Sequence, residues 1–178
     1  MNTAPLLRQR GAVLVVGLIM LVVISLMGAV AYNVATQQER IAGNARDKML
    51  AFEMAESALR LCESDIRGSS FVPLGGINRP ADGLYVANAA GTAQWWETVN
   101  WAADTAVREL TFPAGSDRYA RRPACVGEDT GTVFLPGPCE LEGGCPETEF
   151  QTYRITARGF GQRVDSVATV QSSIRRPL

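Results

Sequence analysis

Three hydrophobic patterns follow one another along the chain. Ala12 to Tyr32 runs without a charged residue and is dominated by Leu, Val, Ile and Met. About 20 apolar helical residues suffice to cross the hydrocarbon core of a bilayer. The segment is therefore read as a helix that is apolar all round. From Thr36 to Arg67 there is no Pro, and Gly43 is the only Gly. Here Ile41, Ala45, Met49, Phe52, Ala55, Leu59, Cys62 and Ile66 recur at spacings of three and four. That spacing predicts a continuing amphipathic helix with this stripe as its core face. Glu56/Arg60 and Glu63/Arg67 are acid-before-base pairs four apart, each a small local support. Gly68-Ser69-Ser70 and Pro73 end the helix.

Beyond residue 68 the period changes to two. Tyr153, Ile155 and Ala157 alternate with Thr152, Arg154, Thr156 and Arg158, Gly159-Phe160-Gly161-Gln162 reads as a turn, and Val164–Ile174 returns. This predicts a hairpin. Leu84–Ala87 and Val107–Phe112 are further short strands. An antiparallel sheet laid on the helix stripe buries both apolar faces, so the expected class is α+β. Trp95, Trp96 and Trp101 are expected to fill a core rather than form an exposed platform. Cys125–Glu149 contains Glu128, Asp129, Glu140, Glu142, Glu147 and Glu149 with no basic residue, and is rich in Gly and Pro. It reads as a solvated loop stapled by bridges; it lacks the EF-hand pattern, and no metal is expected. The basic residues Arg154, Arg158, Arg163, Arg175 and Arg176 are its electrostatic opposite, within one subunit or between neighbours.

Composition and charge narrow the function. The formal net charge is −1, which offers no nucleic-acid surface, and the chain has no His. His is the commonest general base and metal ligand, so hydrolase and zinc chemistry lose ground and no cofactor is expected. Cys62, Cys125, Cys139 and Cys145 include no C-x-x-C pair. An even number behind a membrane-targeting segment points to disulfides in an oxidising compartment. The expected pattern is a bridge among the clustered three with Cys62 tied to the remaining one; free thiols are the alternative.

Arg8 and Arg10 precede the apolar segment, so the N-terminus should stay cytoplasmic and the rest be exported. Ala29-Val30-Ala31 fits a signal-peptidase site, but the helical pattern continues straight past it. The helix is therefore read as retained.

The junction Arg8-Gln9-Arg10-Gly11 followed by Ala12-Val13-Leu14-Val15-Val16 resembles type IV prepilins. The stretches Gln38–Asp47 and Ala51–Arg60 resemble specifically the PilX-type minor pilins. The resemblance implies a leader of residues 1–11, cleavage between Gly11 and Ala12 by a prepilin peptidase and N-methylation of Ala12. It implies a helix over 12–67, with 12–32 in the membrane or fibre core, and a periplasmic β-domain over 68–178. The fold expected is pilin-like, with loops stapled by disulfides. The function implied is priming of pilus assembly at or near the tip, in support of motility and adhesion. Other minor pilins and the major pilin would be partners through the helix, and a tip adhesin through the domain. The protein would lie in the inner membrane first and on the cell-surface fibre afterwards.

One departure is informative. Most pilins carry Glu at the fifth mature position, where this chain has Val16. In the family picture that carboxylate neutralises the charged N-terminal amine of the subunit above. A subunit lacking it is least penalised where nothing lies above it, and a lone buried carboxylate there would itself be costly. Tip pseudopilins of type II secretion share the feature, and remain an alternative. A membrane-tethered periplasmic enzyme is the alternative of another class, without a recognisable active site.

Overall fold

A computed structural model describes residues 10–68, 72–103, 105–111, 119–137 and 147–178. It divides into a unit ending at Ala45 and a unit Arg46–Leu178. Helix α1, Arg10–Arg67, contributes to both. Strand β1 is Leu84–Val86, the short helix α2 is Trp95–Thr98, and β2 is Arg108–Glu109. Strands β3 (Ala124–Pro136), β4 (Glu147–Phe160) and β5 (Val167–Pro177) complete the second unit.

The sheet runs β1-β3-β4-β5, with β2 also paired to β3. It is mixed rather than purely antiparallel, because β1 pairs parallel with β3. Parallel neighbours need a long crossover. Here the segment between them carries α2 and β2 and places the tryptophans on the sheet face opposite the helix. The β4–β5 hairpin forms as expected, with Tyr153 opposite Ile174 and Ala157 opposite Val170. However, β4 runs on through Gly159 and Phe160, so the turn lies at residues 161–166 and not at Gly159–Gln162.

The reading of Cys125–Glu149 as a solvated loop is overturned where it is described. Residues 124–136 form the central strand, and β4 already begins at Glu147. Ala124 to Glu128 is the best-buried run in the sheet. Acids and glycines hid the strand, because their usual preference is for turns. Glu128 tolerates the centre of the sheet because its charge is answered there. Its Oε2 accepts from Arg154 Nε at 2.8 Å, and its Oε1 accepts from the backbone N–H of Trp95 at 2.8 Å. Arg154 also donates to Gln94 Oε1 at 2.6 Å. Acidic and basic segments thus meet within one subunit at this pair. Beyond it, a bulge between Asp129 and Gly131 bends β3, and Gly131 takes the positive φ of 98° that it requires.

The helix stripe is also corrected. Ile41, Met49 and Phe52 are exposed, and the face that α1 buries is Ala51, Ala55, Ala58, Cys62 and Ile66. Small residues win because β4 comes very close. A Cβ on Gly159 would lie 2.8 Å from Met54 C, and closer still to Ala51 O and Ala55 N. Larger side chains on that face would hold the strand away. Asp47 accepts from the backbone N–H of Gln162, and Lys48 Nζ donates to Val167 O at 3.1 Å, so the hairpin turn is clasped to the helix.

The helix-facing core joins Ala58, Cys62 and Ile66 to Cys125, Tyr153 and Ile155. Burial is the main reason that the Tyr153 phenol is pushed up to about 12, with nearby Asp129 adding to the effect. The opposite core joins Tyr85, Trp101, Val107 and Val126, with Trp95 and Trp96 packed against it. Trp101 is a core residue, as expected, while Trp95 and Trp96 are half-buried against that core. Trp95 stacks on Tyr85 at 4.5 Å and donates to Val86 O, while Trp101 donates to Trp96 O.

Cys62 and Cys125 form a disulfide across the helix-facing core. This ties Cys62 to a member of the clustered three; Cys139 and Cys145 lie outside the described residues. The bridge closes a separation of 63 residues. Chain entropy for such a loop is worth about 4 kcal/mol. Replacing both cysteines with Ser is expected to lower unfolding stability by about 2–5 kcal/mol. Denaturant titration followed by tryptophan fluorescence checks the loss, and a peptide map without reductant checks the pairing.

Candidate functional site

The first half of α1 is the most exposed apolar segment among the described residues. Its most apolar window has a mean hydropathy of 3.0 and is entirely uncovered. By length and composition it can cross a membrane. Large apolar side chains from Val13 to Val34 are exposed, Leu14 at 72 % and Val16 at 55 %. Burying one such side chain is worth about 1.5–3 kcal/mol. The segment is therefore stable only where lipid or other helices cover it. Its polar groups are arranged for that setting. Ser25 Oγ donates to Leu21 O at 2.7 Å and Thr36 Oγ1 donates to Tyr32 O at 2.8 Å, so neither hydroxyl needs water.

Gly11 and Ala12 both fall within the first turns of α1, and Arg8 lies outside the described residues. Val16 adds no charge to the apolar surface. At Gly17 and Gly28 a Cβ would meet nothing within 4 Å, so neither glycine is required by packing within the chain. Each weakens the helix by about 1 kcal/mol relative to Ala.

Comparison with known families bears on this same stretch. Residues 10–60 match the model of the PilX N-terminal family. This stretch of α1 is similar to the N-terminal segment of that family. The match covers the apolar half of α1 and most of its amphipathic half, and stops before the β-domain. No curated protein and no solved structure matches the chain.

In the second unit, a small cavity of about 220 Å³ is lined by Cys62, Asp65, Val72, Arg79, Leu84 and Arg108, among others. Arg108 Nε lies 2.6 Å from Asp65 Oδ2 at its edge, which fixes β2 to the helix. A wider cleft beside the β3 bulge is lined by Val86, Ala87 and Ala90 together with Asn88, Gln151 and Arg154, among others. Several of these side chains bond to one another or to nearby backbone: Asn88 donates to Ala93 O, Gln151 to Asp129, and Arg154 to Gln94. Sequence patterning did not anticipate either feature, since both depend on the crossover between β1 and β3.

Proposed function

We propose that this protein primes type IV pilus assembly and occupies the tip of the fibre, or a place next to it. The observation that supports the reading most is the uncovered apolar half of α1 within the segment matched to the PilX N-terminal family. Cleavage between Gly11 and Ala12 with methylation of Ala12 would release that helix from its basic leader. Other minor pilins and the major pilin would then cover it in place of lipid. The globular domain performs no chemistry in this reading; it presents a surface, with a large adhesin as its neighbour at the tip.

The first test is mass spectrometry of the membrane-bound N-terminus, with and without the prepilin peptidase. The expected product begins at a methylated Ala12 only when the peptidase is present. A start at Tyr32 would make the chain a secreted protein, and Met1 in both strains would make it a plain signal anchor. Deletion is expected to abolish twitching while protein export continues; the reverse phenotype would make the chain a pseudopilin of type II secretion.

Val16 carries the tip placement. Val16→Glu supplies a carboxylate able to neutralise an amine above it. Immunogold labelling is expected to find the variant along the fibre shaft as well as at its end. Unchanged placement and piliation would make Val16 incidental.

A further inference from the structure

Most well-placed arginines of the second unit have an evident counterpart. Arg154 is bound to Glu128 and Gln94, Arg108 to Asp65, Arg122 to Glu109 and Arg67 to Glu63. Arg158 and Arg121 differ. Among the described residues neither has an ion pair, and each lies over an aromatic ring. The Arg158 guanidinium carbon is 4.6 Å from the centroid of Trp101, and that of Arg121 is 5.7 Å from the centroid of Phe160.

Arg158 and Phe160 are two apart on β4 and so share one face of the sheet. Ala120 N–H donates to Gly161 O, which brings the segment carrying Arg121 to that end of β4. The two cation–ring pairs are therefore neighbours. Arg158 is half-buried, and its Nε–H is shielded from solvent without an acceptor. Burial alone lowers its pKa, with no acid opposing the effect. A guanidinium that served packing only would be expected to have its donors satisfied within the fold. Here the guanidinium lies over the ring, and no anion pairs with it among the described residues.

We infer that Arg158 and Arg121, held over Trp101 and Phe160, form a recognition site for a carboxylate-bearing peptide segment of a neighbouring subunit. A planar guanidinium matches a carboxylate through paired N–H donors, and stacking on a ring reduces the freedom lost on binding. Two arginines are a small patch for a polyphosphate or a lipid headgroup lattice, and the chain is acidic overall. The complementary chemistry exists in this same chain, where Glu140, Glu142, Glu147 and Glu149 follow one another without a basic residue. The inference rests on the assembly reading for the identity of the neighbour, but not for the binding itself.

The test uses the full chain in detergent micelles and a labelled peptide of residues 140–149 with serine in place of Cys145. Fluorescence anisotropy should show binding that weakens with salt. It should weaken at least roughly tenfold when every Glu of the peptide is replaced by Gln. Arg158→Gln and Arg121→Gln should each reduce affinity severalfold. Arg158→Lys should fall between them and the parent, keeping charge but losing the fork. Should Arg158→Gln disturb folding, Arg121→Gln decides the matter, since Arg121 is exposed and has no ion pair among the described residues. Equal binding of acidic and amide peptides, or indifference to both arginines, overturns the proposal. So does Arg158-dependent binding to phosphatidylglycerol vesicles without peptide binding, which would make the patch a lipid contact. A deletion strain with normal pili would remove the assembly reading while leaving the peptide site standing.

Discussion

Arg154→Met is expected to lower unfolding stability by about 3–5 kcal/mol. Glu128 is fully buried, whereas Arg154 keeps 27 % of its side chain exposed. Removing the arginine therefore strands a carboxylate that water cannot reach, against only one remaining donor, the backbone N–H of Trp95. The effect should reach further than β4. Glu128 also holds the first turn of α2, and Trp95 and Trp96 cap the second core from that turn. Loss of the pair should loosen the whole tryptophan layer. Pairing Arg154→Met with Glu128→Gln is expected to be less damaging than Arg154→Met alone, because no buried charge is left behind. Denaturant unfolding of the full chain in micelles, followed by tryptophan emission, reads both. A cost near zero for Arg154→Met would mean that the carboxylate is hydrated and the pair unimportant.

Gly159→Val should be comparably severe, at or above about 3 kcal/mol, the upper part of the range for overpacked cores. The atoms that a new side chain would meet are helix backbone, Ala51 O, Ala55 N and Met54 C. Backbone of a long helix cannot rotate aside as a side chain can. Either β4 lifts from α1, which uncovers Ala51 and Ala55, or the helix hydrogen bonds at that turn break. Gly159→Ala tests the same contact with a single carbon and should already cost a large part of it. Thermal melts of both variants, with the disulfide intact, give the comparison. Tolerance of Val would show that helix and hairpin are less closely apposed than the geometry indicates.

These two sites explain what was hidden in the sequence. The period of three and four across residues 41–66 correctly marked a helix with an apolar side, and Ala55, Cys62 and Ile66 are buried as that stripe required. The same pattern could not reveal that the sheet would seat against Ala51 and Ala58 instead of Met49 and Phe52. That choice belongs to Gly159 on a strand more than a hundred residues away. Likewise, the run around Glu128 looked solvated because its acids had no local base. The compensating arginine arrives only when β4 pairs with β3.

The sequence by itself determined the parts whose physics is local. A charge-free stretch from Ala12 to Tyr32 must be covered by something apolar whatever follows it. Alternation from Thr152 to Arg158, with a second β-rich run from Val164, is enough to predict a hairpin, though not that β4 would continue through Gly159 and Phe160. The lack of charge at Val16 is legible at once, because it needs no fold to be seen. Tertiary structure alone decided the parallel pairing of β1 with β3, the disulfide between Cys62 and Cys125, and the burial of Glu128. It also placed Arg158 on Trp101 and Arg121 on Phe160. Each of these joins residues far apart in the chain, and their energies depend on distance and desolvation, which a one-dimensional pattern does not contain.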